Sequence, residues 1–127
     1  MAFRTSDAAA NAALSALNTS IGANALIRFY TGAQPANVAT AASGTLLGTL
    51  TGSATFGTVA NRTLTANAIT EDSSADATGT AGYVRISTSG GVAVCDLAVG
   101  AEVTMNSTSV ITGGPIQMSS LTVTISA

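Results

Sequence analysis

Tyr83-Val84-Arg85-Ile86-Ser87, then Thr88-Ser89-Gly90-Gly91, then Val92-Ala93-Val94-Cys95-Asp96-Leu97 is the stretch that decides the fold. Val84 and Ile86 fall on one side of the first arm and Tyr83, Arg85 and Ser87 on the other, the period-2 alternation of a strand with one buried face. Ser-Gly-Gly supplies the positive φ angles of a tight turn at little steric cost. The stretch predicts a β-hairpin. In its second arm Cys95 shares a face with Ala93 and Leu97 and reads as a small buried hydrophobe.

The same pattern recurs on both sides of the hairpin. Ala25 to Thr31 alternates, with Ile27 and Phe29 opposed to Leu26, Arg28 and Tyr30, and predicts the first strand. Gly32 to Gly44 has no sustained period and predicts a long loop. Leu46 to Thr51 is a second strand, Gly52-Ser53 turns into Ala54 to Val59, and Thr63 to Thr70 is a weaker strand carrying Leu64 and Ile69. Glu71 to Gly82 reads as a polar loop. Beyond the hairpin, Val103 to Asn106 and Ser109 to Thr112 are short strands around Ser107-Thr108, and Gly113-Gly114-Pro115 breaks the chain. Ile116 to Ser126 closes it, with Leu121, Val123 and Ile125 on one face and Thr122, Thr124 and Ser126 on the other. Short strands at this spacing predict an antiparallel two-sheet β-sandwich, jelly-roll-like, and the want of crossover helices excludes a parallel α/β fold.

One helix precedes the strands. Thr5-Ser6-Asp7 offers capping oxygens, Ala8 to Asn18 is made mostly of strong helix formers, and Gly22 can end the helix. Ala10, Leu14, Leu17 and Ile21 form a narrow apolar stripe at spacings of four, three and four. So short a helix is marginal alone in water and must dock, on its own sandwich or on a neighbouring subunit. The chain is therefore divided into a helical arm, residues 1–22, and a sandwich, residues 23–127, and the stripe is the candidate subunit contact.

Only 8% of the residues are charged, while 46% are hydrophobic; an average soluble domain carries about 25% charge. Thr, Ser, Asn, Gly and Ala replace the missing charge, so the surface offers little electrostatic resistance to association. Lys and His are absent, and the cations are Arg4, Arg28, Arg62 and Arg85, scattered along the chain. Phosphate neutralisation, and with it nucleic-acid binding, is not expected. Ala23-Asn24-Ala25 mimics a signal-cleavage site, but Asp7 and Asn11 interrupt the apolar run that a signal needs. No stretch is long enough to span a bilayer, and no membrane partner is expected.

These absences also limit the chemistry. Without His or Lys the chain cannot form a Ser-His-Asp or Cys-His arrangement, a Ser-Lys dyad or a Schiff base. One cysteine and no imidazole cannot supply a usual zinc set. Two constellations remain. Glu71-Asp72-Ser73-Ser74-Ala75-Asp76 gathers oxygens of the kind calcium takes, without the spacing or glycine of an EF-hand, and reads as a solvated acidic loop. Asp96 with Glu102 is a carboxylate pair of glycosidase type, with no spacing that makes the two converge and no Trp to hold a sugar. No catalytic residue, metal site or cofactor is expected. Sequons at Asn18, Asn61 and Asn106 are chance matches in so Thr- and Ser-rich a chain.

The order of landmarks is similar to that of a known group. Leu26-Ile27-Arg28-Phe29-Tyr30, Thr31-Gly32-Ala33-Gln34-Pro35, Gly44-Thr45-Leu46-Leu47, Leu64 to Ile69, Ala77 to Arg85 and Ser120-Leu121-Thr122-Val123-Thr124 together resemble small virion structural proteins of tailed bacteriophages. With the size, the jelly roll and the want of catalytic groups, the resemblance points to a capsid decoration, or cement, protein. It implies a non-enzymatic protein on the outer surface of the capsid, bound to the major capsid protein and to itself as a homodimer or homotrimer. The alternatives are a component of the phage tail or of a head or tail fibre, and a carbohydrate-binding adhesive β-sandwich. No functional residues transfer with the resemblance.

Overall fold

In the computed structural model, which describes residues 6–100, 103–105 and 107–124, the chain is mainly β, with one helix and two antiparallel sheets. The helix α1 spans Asp7–Ile21 and is capped as its sequence predicts. Ser6 accepts a hydrogen bond from the Ala9 amide at its N-terminus, and the Gly22 amide donates to the Asn18 carbonyl at its C-terminus, with Gly22 at φ 75°.

The strands follow as β1 (Leu26–Thr31), β2 (Leu46–Thr51), β3 (Gly57–Ala60), β4 (Thr63–Ala66), β5 (Gly79–Ser87), β6 (Ala93–Ala98), β7 (Val103–Met105), β8 (Ser109–Val110) and β9 (Met118–Thr124). The first sheet has the order β2-β1-β5-β6, with β8 joined to the start of β5; the second has the order β3-β4-β9-β7. Between them lies one continuous core, with Ile27, Phe29, Leu47, Leu50, Val84 and Ile86 from the first sheet facing Leu64, Val103 and Leu121 from the second, and Phe56, just before β3, packed among them. This is a β-sandwich arrangement. Its order does not establish the jelly-roll winding expected from the strand count. Among the described residues β1–β2, β3–β4 and β5–β6 are hairpins between neighbours of one sheet, whereas a jelly roll winds two Greek keys by longer returns.

The Tyr83–Leu97 hairpin forms as read, with Val84 opposite Leu97, Arg85 opposite Asp96 and Ile86 opposite Cys95. The expected single buried face is corrected. Tyr83, Val84, Arg85, Ile86 and Ser87 are all buried, because β5 lies in the middle of its sheet and residues 32–44 cross its outer side. Gly82 sits where this crossing begins. A Cβ there would run into the carbonyl of Gly32, so only glycine admits the approach.

Two further strand expectations change. The strand begun at Thr63 stops at Ala66 instead of reaching Thr70, because Asn67 turns to Thr55 and Phe56 and Thr70 pairs with Thr51 of β2. The short strands around Ser107-Thr108 do not pair with each other. β7 joins β9 and β8 joins β5, so the two short strands belong to different sheets. Ile125 and Ser126, read as the end of the closing strand, lie outside the described residues, as does Asn106.

Candidate functional site

The largest concentration of polar chemistry lies on the outer side of the first sheet. Strand alternation carries Arg28 and Tyr30 of β1, Tyr83 and Arg85 of β5 and Asp96 of β6 to the same face, away from Ile27, Phe29, Val84 and Ile86. Register then aligns Thr49, Arg28, Arg85 and Asp96 in one row across four strands. In the next row Tyr30 stacks on Tyr83 with ring centroids 5.2 Å apart and planes 12° from parallel.

Arg85 is the hub of this face. Its Nε and Nη2 donate to the two carboxylate oxygens of Asp96 at 2.7 and 2.9 Å, and its Nη1 donates to the Thr40 carbonyl at 2.8 Å. Both side chains are nearly closed to solvent, 8% and 4% exposed. The hydrogen bonds to Asp96 raise the Arg85 pKa above its ordinary value and outweigh the opposing effect of burial. Beside it the Tyr83 hydroxyl accepts from the Ser43 amide at 2.9 Å and donates to the Ser43 carbonyl at 2.8 Å. The loop of residues 32–44 is thus strapped to the sheet at Thr40 and Ser43. A guanidinium and a carboxylate joined by two hydrogen bonds, with a third bond to the strap, hold this face together.

The acidic loop is also structural. One Asp72 carboxylate oxygen accepts the Thr49 amide and the other the Ser74 amide, each at 3.0 Å. The Ile116 amide donates to the Asp72 carbonyl, and the Asp76 amide to the Leu47 carbonyl. Glu71 and Asp76 stay exposed, and among the described residues no three His, Cys, Asp or Glu side chains converge on a metal position. The other expected pair divides: Asp96 belongs to Arg85, and Glu102 lies outside the described residues.

Cys95 is half-buried against the core, and desolvation, with a smaller contribution from the Asp96 charge, pushes its thiol up to about 11. A shallow depression of about 320 Å³ opens where the chain after β4 leaves β9, lined by Ala66, Asn67, Ala68, Ile69, Met118 and Leu121. These side chains include no ionisable group.

The helix stripe takes its place within the chain. Ala10, Leu14 and Ile21 are buried, and Leu17 packs at the margin of the core. Asn18 fixes the seat of α1 through both ends of its amide, donating to the Gly57 carbonyl and accepting the Gly57 amide at 3.1 Å each. Asn11 accepts the Arg62 amide at 2.9 Å, and Asp7 pairs with Arg62. In this conformation the stripe reaches a second subunit only if the helix leaves that seat. Asn18, Asp72 and the Tyr83–Ser43 link had no sequence signal beyond residue type, because their partners lie 23 to 40 positions away.

Comparison with protein-family models, with curated proteins and with solved structures found no match to this chain. Among the described residues no helix is long and apolar enough to cross a membrane.

Proposed function

We propose that this chain is a non-enzymatic structural protein of a tailed-bacteriophage particle, a decoration protein on the outer surface of the capsid that binds the major capsid protein and ties neighbouring capsomers together. The observation that carries the reading is the internal use of its polar groups. Arg85, Asp96, Asp72, Tyr83 and Asn18 all hold one part of the chain to another, on a sandwich with few charges. Such a molecule acts through contact area and shape, and many weak contacts repeated by capsid symmetry add up to high avidity. The run of motifs from Leu26 to Thr124 that resembles virion structural proteins supports the same reading.

Cryo-electron microscopy of particles carrying this chain tests it. Density of this sandwich outside the shell, bridging capsomers, is the expected result. Density confined to the tail or fibres transfers the chain to a tail or fibre role, and its absence from the particle overturns the reading. Glycan binding by the purified chain would favour the adhesive module instead.

A further inference from the structure

The outer face of the first sheet is closed over one half and open over the other. On the β5 half Tyr83, Arg85 and Ser87 are buried, and residues 32–44 are held there at Thr40 and Ser43. The β1–β2 half carries Leu26, Arg28 and Tyr30, with Thr51, Thr49 and Leu46 opposite them. All six are half-buried. The Tyr30 ring is fixed by its stack on Tyr83, which the Ser43 bonds hold in turn.

Arg28 carries the one charge of this face that the chain leaves unmet. Its row runs from Thr49 through Arg28 and Arg85 to Asp96, with a carboxylate at each end, and each carboxylate is already engaged through both oxygens. Asp72 spends its two on the Thr49 and Ser74 amides, and Asp96 spends its two on Arg85. Among the described residues the Arg28 guanidinium has no hydrogen bond or ion pair, and the Tyr30 hydroxyl has no hydrogen bond. Arg62 and Arg85, by contrast, are paired with Asp7 and Asp96.

We propose that this β1–β2 face is where the chain docks on the shell protein, with Arg28 receiving a carboxylate from an acidic side chain of that partner. The inference rests on the capsid reading above and names the contact through which it works. A guanidinium fork matches a carboxylate with two parallel hydrogen bonds, and no carboxylate of its own chain takes that place. Tyrosine and arginine are the residues that most often carry the binding energy of a protein contact, and here they stand beside leucine and threonine on a rigid sheet. A nucleic-acid backbone would require several cations in a row, whereas this row holds one unmet charge. One cation set in a half-buried apolar and hydroxyl surface fits a single acidic side chain on a protein.

The test is titration of particles lacking this chain with the purified full chain, the bound share being read by co-sedimentation. Arg28→Gln is expected to weaken binding about tenfold or more. Its urea midpoint stays where it is, because the Arg28 side chain bonds nothing in its own chain. Arg28→Glu is expected to bind more weakly still, since like charges then meet. Arg62→Gln removes the same charge beside α1 and is expected to bind as the unaltered chain does. Equal binding by Arg28→Gln and the unaltered chain overturns the contact and leaves the capsid role standing. So does Arg28→Glu binding no worse than Arg28→Gln, an equal loss in Arg62→Gln, or a urea midpoint of Arg28→Gln that falls with its binding. Particles that take up none of the unaltered chain remove the capsid role and this contact with it.

Discussion

Arg85 and Asp96 face each other across the β5–β6 ladder and join through two hydrogen bonds of 2.7 and 2.9 Å, almost sealed from solvent by the strap that Arg85 also holds at Thr40. Removing one partner leaves a buried charge without its counter-ion. Asp96→Ala is expected to cost about 3–5 kcal/mol in urea unfolding, whereas Arg85→Met with Asp96→Leu costs far less because no orphan charge remains. Equal losses in the single and double variants would show that the pair is not what holds this face.

Tyr83→Phe keeps the stacked ring and removes both hydrogen bonds to Ser43. The expected loss is about 1–3 kcal/mol, since the Ser43 groups lose a partly buried partner. Hydrogen exchange at the Ser43 amide should quicken while that of β1 and β5 stays slow. Uniform acceleration across the sheet would mean that the strap does not open by itself.

Leu14→Ala tests the helix. Leu14 is 1% exposed within the core, so the truncation is expected to cost about 2–5 kcal/mol of stability. Asn18→Ala frees both Gly57 groups and is expected to cost about 1–3 kcal/mol. An unchanged denaturation midpoint for Leu14→Ala would place the helix off the sandwich in solution.

Asp72→Ala removes the acceptor of the Thr49 amide and uncovers part of the β2 edge. Lower stability and faster aggregation on heating are expected, followed by light scattering during a melt. Because both carboxylate oxygens already accept amides, calcium is expected to leave the melting temperature of the unaltered chain where it stands in chelator. A calcium-dependent rise that Asp72→Ala abolishes would reassign this loop.

Cys95, with its thiol pushed up to about 11 from an ordinary 9.0, is expected to alkylate slowly in the folded chain at neutral pH and faster as the pH climbs toward that value. The folded chain holds the thiol proton more tightly than the unfolded chain, so this group's contribution to stability is complete below about 9 and is lost as the pH rises through about 11. Iodoacetamide kinetics and urea midpoints across this range measure both effects. Denatured-state labelling rates at neutral pH would contradict the burial.

The sequence by itself determined the local elements. Alternation at Leu26–Thr31, Leu46–Thr51 and Tyr83–Leu97, the Ser6 and Gly22 caps and the stripe from Ala10 to Ile21 are readable because each signal lies within a few residues, where backbone sterics and side-chain period act. Only the tertiary structure decided which strands share a sheet, that β5 is covered on both sides, and that the helix stripe is buried within its own chain. Those outcomes depend on contacts between distant positions, such as Asn18 with Gly57, Thr49 with Asp72 and Ser43 with Tyr83. A polar residue at one end of such a contact looks the same in sequence whether it covers a strand edge or faces water. Its role is set by the backbone groups that folding brings to it, and each buried backbone group must find a partner.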